Sequence, residues 1–144
     1  MLKGKSIHST LKGKGVSTYT HIKAADAFNA CSRLIFQGST IAPAMKTSDS
    51  IVRLRKNLEE NKDNSAFFFV NLDTLDTISY EYGPDSYEYY SELSLITYLL
   101  NTELVQKIDP KIAKETLFLL TADHGGVKVN LNETTYLTKA ALQL

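Results

Sequence analysis

The residues of this chain that are best suited to chemistry follow an apolar run, in the stretch TLFLLTADHGG at residues 116–126. Asp123 and His124 come directly after the apolar letters, and Gly125 and Gly126 follow them. A carboxylate with an imidazole suits zinc, manganese or iron better than magnesium or calcium, which prefer oxygen ligands. Glycines let the backbone pass close to an ion or a phosphate. The stretch predicts part of a metal-dependent hydrolase site. The alternative is a structural role, in which Asp123 caps a turn and His124 donates a hydrogen bond to a carbonyl.

A second acidic stretch lies upstream, where FFFVN at residues 67–71 is followed by Asp76 and then by GPDS at residues 83–86. In open parallel sheets, ligands gather at the carboxyl ends of the strands, because loops and helix N-termini converge there. If both apolar runs are neighbouring strands of one sheet, Asp76 and the Asp123–His124 pair open into the same crevice.

The hydrophobic patterns around these stretches predict an α/β fold with a mostly parallel sheet and flanking helices. The run AFFFV lacks polar alternation, as expected of a strand that is covered on both faces. Predicted strands cover residues 16–22, 66–70 and 116–121, with a short last one near residues 134–137. Predicted helices cover residues 6–12 and 27–35, a third begins at Ser48 or Asp49, and a long one begins at Asp85. Predicted loops cover residues 38–45, 71–85 and 107–115.

The composition is that of one globular domain covering residues 1–144, with 43% hydrophobic residues and a net charge of zero. Zero net charge argues against nucleic acid or an anionic membrane as a partner, since both select for clustered Lys and Arg. The single Cys31 excludes an intrachain disulfide and a cysteine-based zinc site. We find no signal peptide and no apolar segment near the roughly 20 residues that span a bilayer, which predicts a cytoplasmic location.

Together, the two motifs resemble the type I phosphodiesterase / nucleotide pyrophosphatase branch of the alkaline phosphatase superfamily, over about residues 15–137. The resemblance rests on Asp76, on YGPDS at residues 82–86 and on TADHGG after an apolar run. It implies an alkaline-phosphatase-like three-layer fold and two zinc ions, with Asp76 binding one ion and Asp123 and His124 the other. It also implies hydrolysis of phosphodiester or phosphoanhydride bonds in a phosphate ester or nucleotide-like small molecule.

The sequence departs from the family pattern in the first motif. The family has a His four residues after the first Asp, whereas this chain has Tyr80. A phenol, with a pKa of about 10, is a poorer metal ligand at neutral pH than an imidazole. Asp73 and Asp85 are alternative donors in its place.

Other parts of the family's site have no counterpart in the sequence. No catalytic residue is assigned, because the family's nucleophile follows a strand that is not found before Gly15, and Thr40 is only a weak candidate. No His follows His124, although the family has a later His ligand. We therefore expect an incomplete portion of a larger domain that is inactive by itself, or alternatively a noncatalytic remnant that serves as a structural or interaction module. Exposed sheet edges predict self-association.

Overall fold

The computed structural model of the chain describes residues 4–135. At its centre lies a three-stranded parallel sheet with the strand order β2-β1-β3. The strands are β1 (Ser17–Lys23), β2 (Thr40–Ala44) and β3 (Ala66–Val70). Their register places Tyr19 opposite both Thr40 and Phe68. The predicted α/β class is confirmed, and the architecture is consistent with part of an alkaline-phosphatase-like fold.

Helices connect and cover the strands. They are α1 (Ile7–Lys12), α2 (Ala30–Ile35), α3 (Thr47–Glu60), α4 (Thr74–Tyr82), α5 (Tyr87–Leu100) and α6 (Pro110–Lys114). A π-helical turn over Asn101–Gln106 extends α5, and a 3-10 turn covers Leu131–Glu133. Among the described residues, no helix is long and apolar enough to cross a membrane.

The sheet is covered on both faces. On one face, Ile51 and Leu54 of α3 are buried, and Asn57 of α3 lies 3.3 Å from the buried His21 ring of β1. On the other face, the buried His8 ring of α1 packs against Phe67 and Phe69 of β3. Alternate residues of β1 and β3 therefore face opposite helices, which gives a three-layer arrangement.

Three segments that were predicted as loops form regular structure. Residues 40–44 form strand β2, because their backbone pairs with β1, and Pro43 is tolerated since β2 is an edge strand. Residues 74–82, rich in acids and tyrosines, form α4, and residues 110–114 form α6, which Asp109 caps. The cap of α5 is Ser86 instead of the predicted Asp85.

The prediction of a strand at residues 116–121 is wrong. Residues 116–130 have no regular secondary structure, and Leu117, Leu119 and Leu120 expose 82%, 79% and 69% of their surface. A strand requires a hydrogen-bonded neighbour, and in the described part of the chain the sheet ends at β3. Of the last predicted strand, Thr134 and Thr135 are not in a strand, and residues 136 and 137 lie outside the described residues.

Candidate functional site

Asp76 lies in the first turn of α4, just beyond the carboxyl end of β3. A parallel strand followed by a helix directs the first helical turn to this edge of the sheet. The Asp76 side chain keeps 51% of its surface exposed, so it is free to bind a ligand from solvent.

The Asp123–His124 motif belongs to the irregular segment 116–130. The second glycine of this motif contacts the first motif. A Cβ atom built on Gly126 would lie 3.0 Å from the Cβ atom of Pro84 and 3.8 Å from the Ser79 hydroxyl. Gly125 has open space around it. The absence of a side chain at Gly126 therefore allows the two motifs to lie in contact.

This contact brings the three predicted metal ligands together. The Nε2 atom of His124 lies 3.9 Å from an Asp76 carboxylate oxygen and 3.8 Å from an Asp123 carboxylate oxygen. Its Nδ1 atom lies 3.1 Å from the Gly125 carbonyl oxygen, and since a carbonyl only accepts, Nδ1 carries the proton. The Gly125 carbonyl first, and the Asp123 and Asp76 carboxylates after it, raise the pKa of His124. Nε2 thus faces two carboxylates, which favours a proton or a metal ion between them.

One imidazole and two carboxylates are donor types that a zinc-type ion accepts. Two donors of one tetrahedral zinc ion lie about 3.3 Å apart, somewhat closer than the 3.8 and 3.9 Å around His124. The Nδ1–carbonyl hydrogen bond is the kind that fixes the tautomer of a metal-binding histidine. Within residues 4–135, no group of three or more His, Cys, Asp and Glu side chains has a geometry that could hold a metal.

The other predicted residues have separate surroundings. Tyr80 lies one turn after Asp76 on α4 and is 82% exposed. Asp73 lies 3.6 Å from the Lys23 ammonium group, and Asp85 lines a small cavity of about 140 Å³ with Lys128. Thr40 begins strand β2.

A larger cavity of about 440 Å³ was missed by the sequence analysis. It lies at the carboxyl ends of all three strands, where Lys23 ends β1, Ala44 ends β2 and Asn71 follows β3. Residues after strand ends are the signal that could have revealed it. The sequence does not indicate the cavity, because it predicts a loop where the structure has β2.

The sequence pattern of one protein family fits this arrangement of motifs. The model of the family type I phosphodiesterase / nucleotide pyrophosphatase matches residues 9–143. The chain belongs to this family. The family assignment made from the two motifs is confirmed. No curated protein and no solved structure gives a significant match to the chain. Members of the type I phosphodiesterase / nucleotide pyrophosphatase family are generally metal-dependent and act on phosphate esters or nucleotides.

Proposed function

We propose that this chain carries part of a two-metal phosphodiesterase or pyrophosphatase centre. Asp76 binds one divalent ion, and Asp123 and His124 bind the other, with zinc as the preferred metal. The observation that carries this proposal is the 3.9 Å approach of His124 to Asp76, which joins two distant motifs of the family pattern.

In the intact parent domain, bound metal ions would supply Lewis-acid stabilisation of the charge on a phosphoryl group. The residues of this chain orient the donors. The Gly125 carbonyl directs the Nε2 atom of His124 toward Asp76, and the contact of Gly126 with Pro84 holds the motif there. The donors are exposed, so a phosphate ester can approach them from solvent. No described residue is proposed as the nucleophile, and the chain by itself is expected to show little hydrolysis.

Zinc titration by calorimetry tests the site. The wild-type chain is expected to bind zinc. His124→Ala is expected to lower the zinc affinity about ten-fold or more, because a side chain that binds the metal directly is removed. Asp63→Asn is the matched control, since Asp63 is exposed and lies in the turn after α3. Equal zinc affinity in wild type and His124→Ala would contradict the proposal.

A noncatalytic remnant of the family is the second candidate, and the exposed Tyr80 in place of a His favours it. The variant Tyr80→His separates the two candidates, because residues four apart on a helix lie on one face and an imidazole there adds a donor beside Asp76. Tighter zinc binding by Tyr80→His supports a metal site that has lost one ligand. Unchanged binding in both Tyr80→His and His124→Ala supports the remnant. Metal-dependent turnover of an aryl phosphodiester by wild type, lost in Asp123→Ala, would instead show that the chain is active alone.

A further inference from the structure

The charged residues of this chain are unevenly distributed, although its net charge is zero. Residues 63–106 contain eight Asp and Glu residues and neither Lys nor Arg, whereas residues 1–48 contain seven Lys and Arg residues and a single acid, Asp26. Helix α1 of the basic segment covers one face of the sheet, and α5 of the acidic segment packs against α3 on the other face. The exposed charges of α1 and α5 therefore lie on opposite sides of the molecule.

Helix α5 exposes a row of tyrosines on the side opposite its buried residue Ile96. Positions 87, 91, 94 and 98 recur at intervals of three or four, so they lie on one side of the helix. All four are exposed, and Tyr87 and Tyr98 expose 83% and 64% of their surface. Tyr90 and Leu95 flank the row with 55% and 49% exposed. Protein interfaces are enriched in tyrosine and depleted in lysine, so this side of α5 has the composition of an interface.

Carboxylates border this row of tyrosines. Glu88 lies in the first turn of α5, is exposed and forms no ion pair with any residue between 4 and 135. Asp85 is also exposed, and it lines a small cavity together with Lys128. We call the exposed side of α5, with Tyr87, Tyr90, Tyr98 and Glu88, the tyrosine face. Its charge is negative, so it attracts a surface that carries exposed lysines.

Helix α1 offers such a surface. Exposed lysines precede, end and follow this helix, at Lys5, Lys12 and Lys14. None of the three forms an ion pair within the part of the chain that the structure describes. Among them, Ile7 exposes 60% of its surface. We call these four residues the lysine face.

The end of α2 extends this surface with more apolar residues. The Ser9 hydroxyl of α1 donates a hydrogen bond of 2.7 Å to the Gln37 carbonyl, which joins α1 to the segment after α2. Leu34 and Ile35, in the last turn of α2, each expose 53% of their surface. Both sides of the molecule therefore combine exposed apolar residues with one sign of charge.

We propose that the tyrosine face of one copy binds the lysine face of a second copy. The two faces have opposite charge, and each has apolar residues that the contact would remove from water. Lysine ammonium groups beside tyrosine rings add a cation–π attraction. Because the two faces lie on opposite sides of the sheet, the contact is head-to-tail, and copies add one after another. It uses none of the three proposed metal ligands, so it does not depend on the proposed function.

Sedimentation velocity of the full chain over a range of concentrations tests the contact. Association is expected in about 0.05 M NaCl and should weaken in about 0.5 M NaCl, because salt screens the charges. Lys12→Glu and Glu88→Lys should each weaken association about five-fold or more, since like charges then meet across the contact. Tyr87→Ser should also weaken it about five-fold, because buried tyrosines contribute strongly to binding.

An equimolar mixture of Lys12→Glu and Glu88→Lys provides the sharpest test. Each variant retains the face that the other has lost, so the mixture can form the wild-type contact and should associate more strongly than either variant alone. Loss of folding in a variant would not be restored by mixing. Circular dichroism establishes that each variant is folded.

Lys111→Glu and Glu115→Lys are the matched controls. They make the same charge changes at exposed residues in α6 and directly after it, outside both faces, and should associate like the wild type. A wild-type chain that is monomeric at low salt would overturn the proposal. Association that is unchanged at high salt, or equal in the face variants and the controls, would overturn it as well.

Discussion

Two apolar runs of this chain, AFFFV at residues 66–70 and TLFLLT at residues 116–121, have similar compositions and different structures. The first forms β3, paired with β1 and packed against the His8 ring of α1. The second has no regular secondary structure and exposes its leucines. An apolar run becomes a strand only where another strand satisfies its backbone, so composition alone does not decide its structure.

The difference divides the candidate metal site into two halves. Asp76 is held by α4, directly after a paired strand of the sheet. His124 is held by the Gly126 contact with Pro84, by the Gly125 carbonyl and by its approach to Asp76. One half rests on the core and the other on surface contacts, so changes in the two regions are expected to have different effects on stability.

The largest expected effect on the free energy of unfolding comes from shortening a buried side chain that packs against the sheet. Ile51 of α3 is completely buried, so Ile51→Ala should lower the free energy of unfolding by about 2–5 kcal/mol, through lost apolar burial and a new cavity. Leu119 is 79% exposed, so Leu119→Ala should change the free energy of unfolding by less than about 0.5 kcal/mol. Urea unfolding of both variants measures the contrast. A large loss in Leu119→Ala would show that residues 116–121 are packed in solution.

Acid pH is the next largest perturbation, because histidines of the two regions have opposite pKa shifts. Burial, and then the charge of Arg53, lowers the pKa of His21 to about 4. The unfolded state therefore takes up a proton first as pH falls, so the contribution of neutral His21 is complete above pH 6.5 and is lost as pH falls toward 4. A shift of this size corresponds to about 3 kcal/mol of unfolding free energy.

Urea unfolding at pH 7, 5 and 4 measures that loss, and NMR titration assigns it. The His21 ring should titrate well below 6.5, and the His124 ring above it, because the Gly125 carbonyl and two carboxylates raise the pKa of His124. A His21 midpoint near 6.5 would mean that the centre of the sheet is open to water.

The sequence predicted two of the three described strands, because alternation of residue types and an unbroken short apolar run are both patterns of strands. Residues 16–22 and 66–70 were predicted as strands, and the structure has β1 and β3 there. Pro43 concealed β2, since proline usually indicates a loop and is accepted here only because β2 is an edge strand. The helix at residues 74–82 was concealed because acids and tyrosines obscure its periodicity.

The sequence predicted which residues form the candidate site. It did not predict which structural elements hold them in place. Order and spacing around Asp76 and His124 identified the family without any structure. Pairing between distant segments decides whether residues 116–121 form a strand, and no local pattern contains that information. The cavity beside Lys46 was missed for the same reason, since it depends on three strands ending at one edge.

A smaller effect is expected where the two regions meet. Gly126→Ala places a methyl group about 3.0 Å from the Pro84 ring, which is closer than side chains normally approach, so the motif must move outward. We expect a loss of about 1 kcal/mol in stability and weaker zinc binding, because His124 is displaced from Asp76. Gly125→Ala is the matched control, since its methyl group would meet open space. Equal zinc affinity in the two variants would show that the Pro84 contact does not position the motif.

The smallest effect on stability, with a separate effect on association, is expected from the exposed leucines. Leu117 and Leu119 are 82% and 79% exposed, and among the described residues β3 pairs with β1 alone and leaves its other edge free. Such a run can pair with the edge of another molecule, so the wild type should self-associate, and Leu117→Lys with Leu119→Lys should reduce this without changing the unfolding free energy by more than about 0.5 kcal/mol. Val127→Lys, at an equally exposed apolar residue beyond the motif, is the control. Sedimentation velocity over a range of concentrations measures the association. A wild-type chain that stays monomeric at every concentration would indicate that residues 116–121 are covered by their own chain.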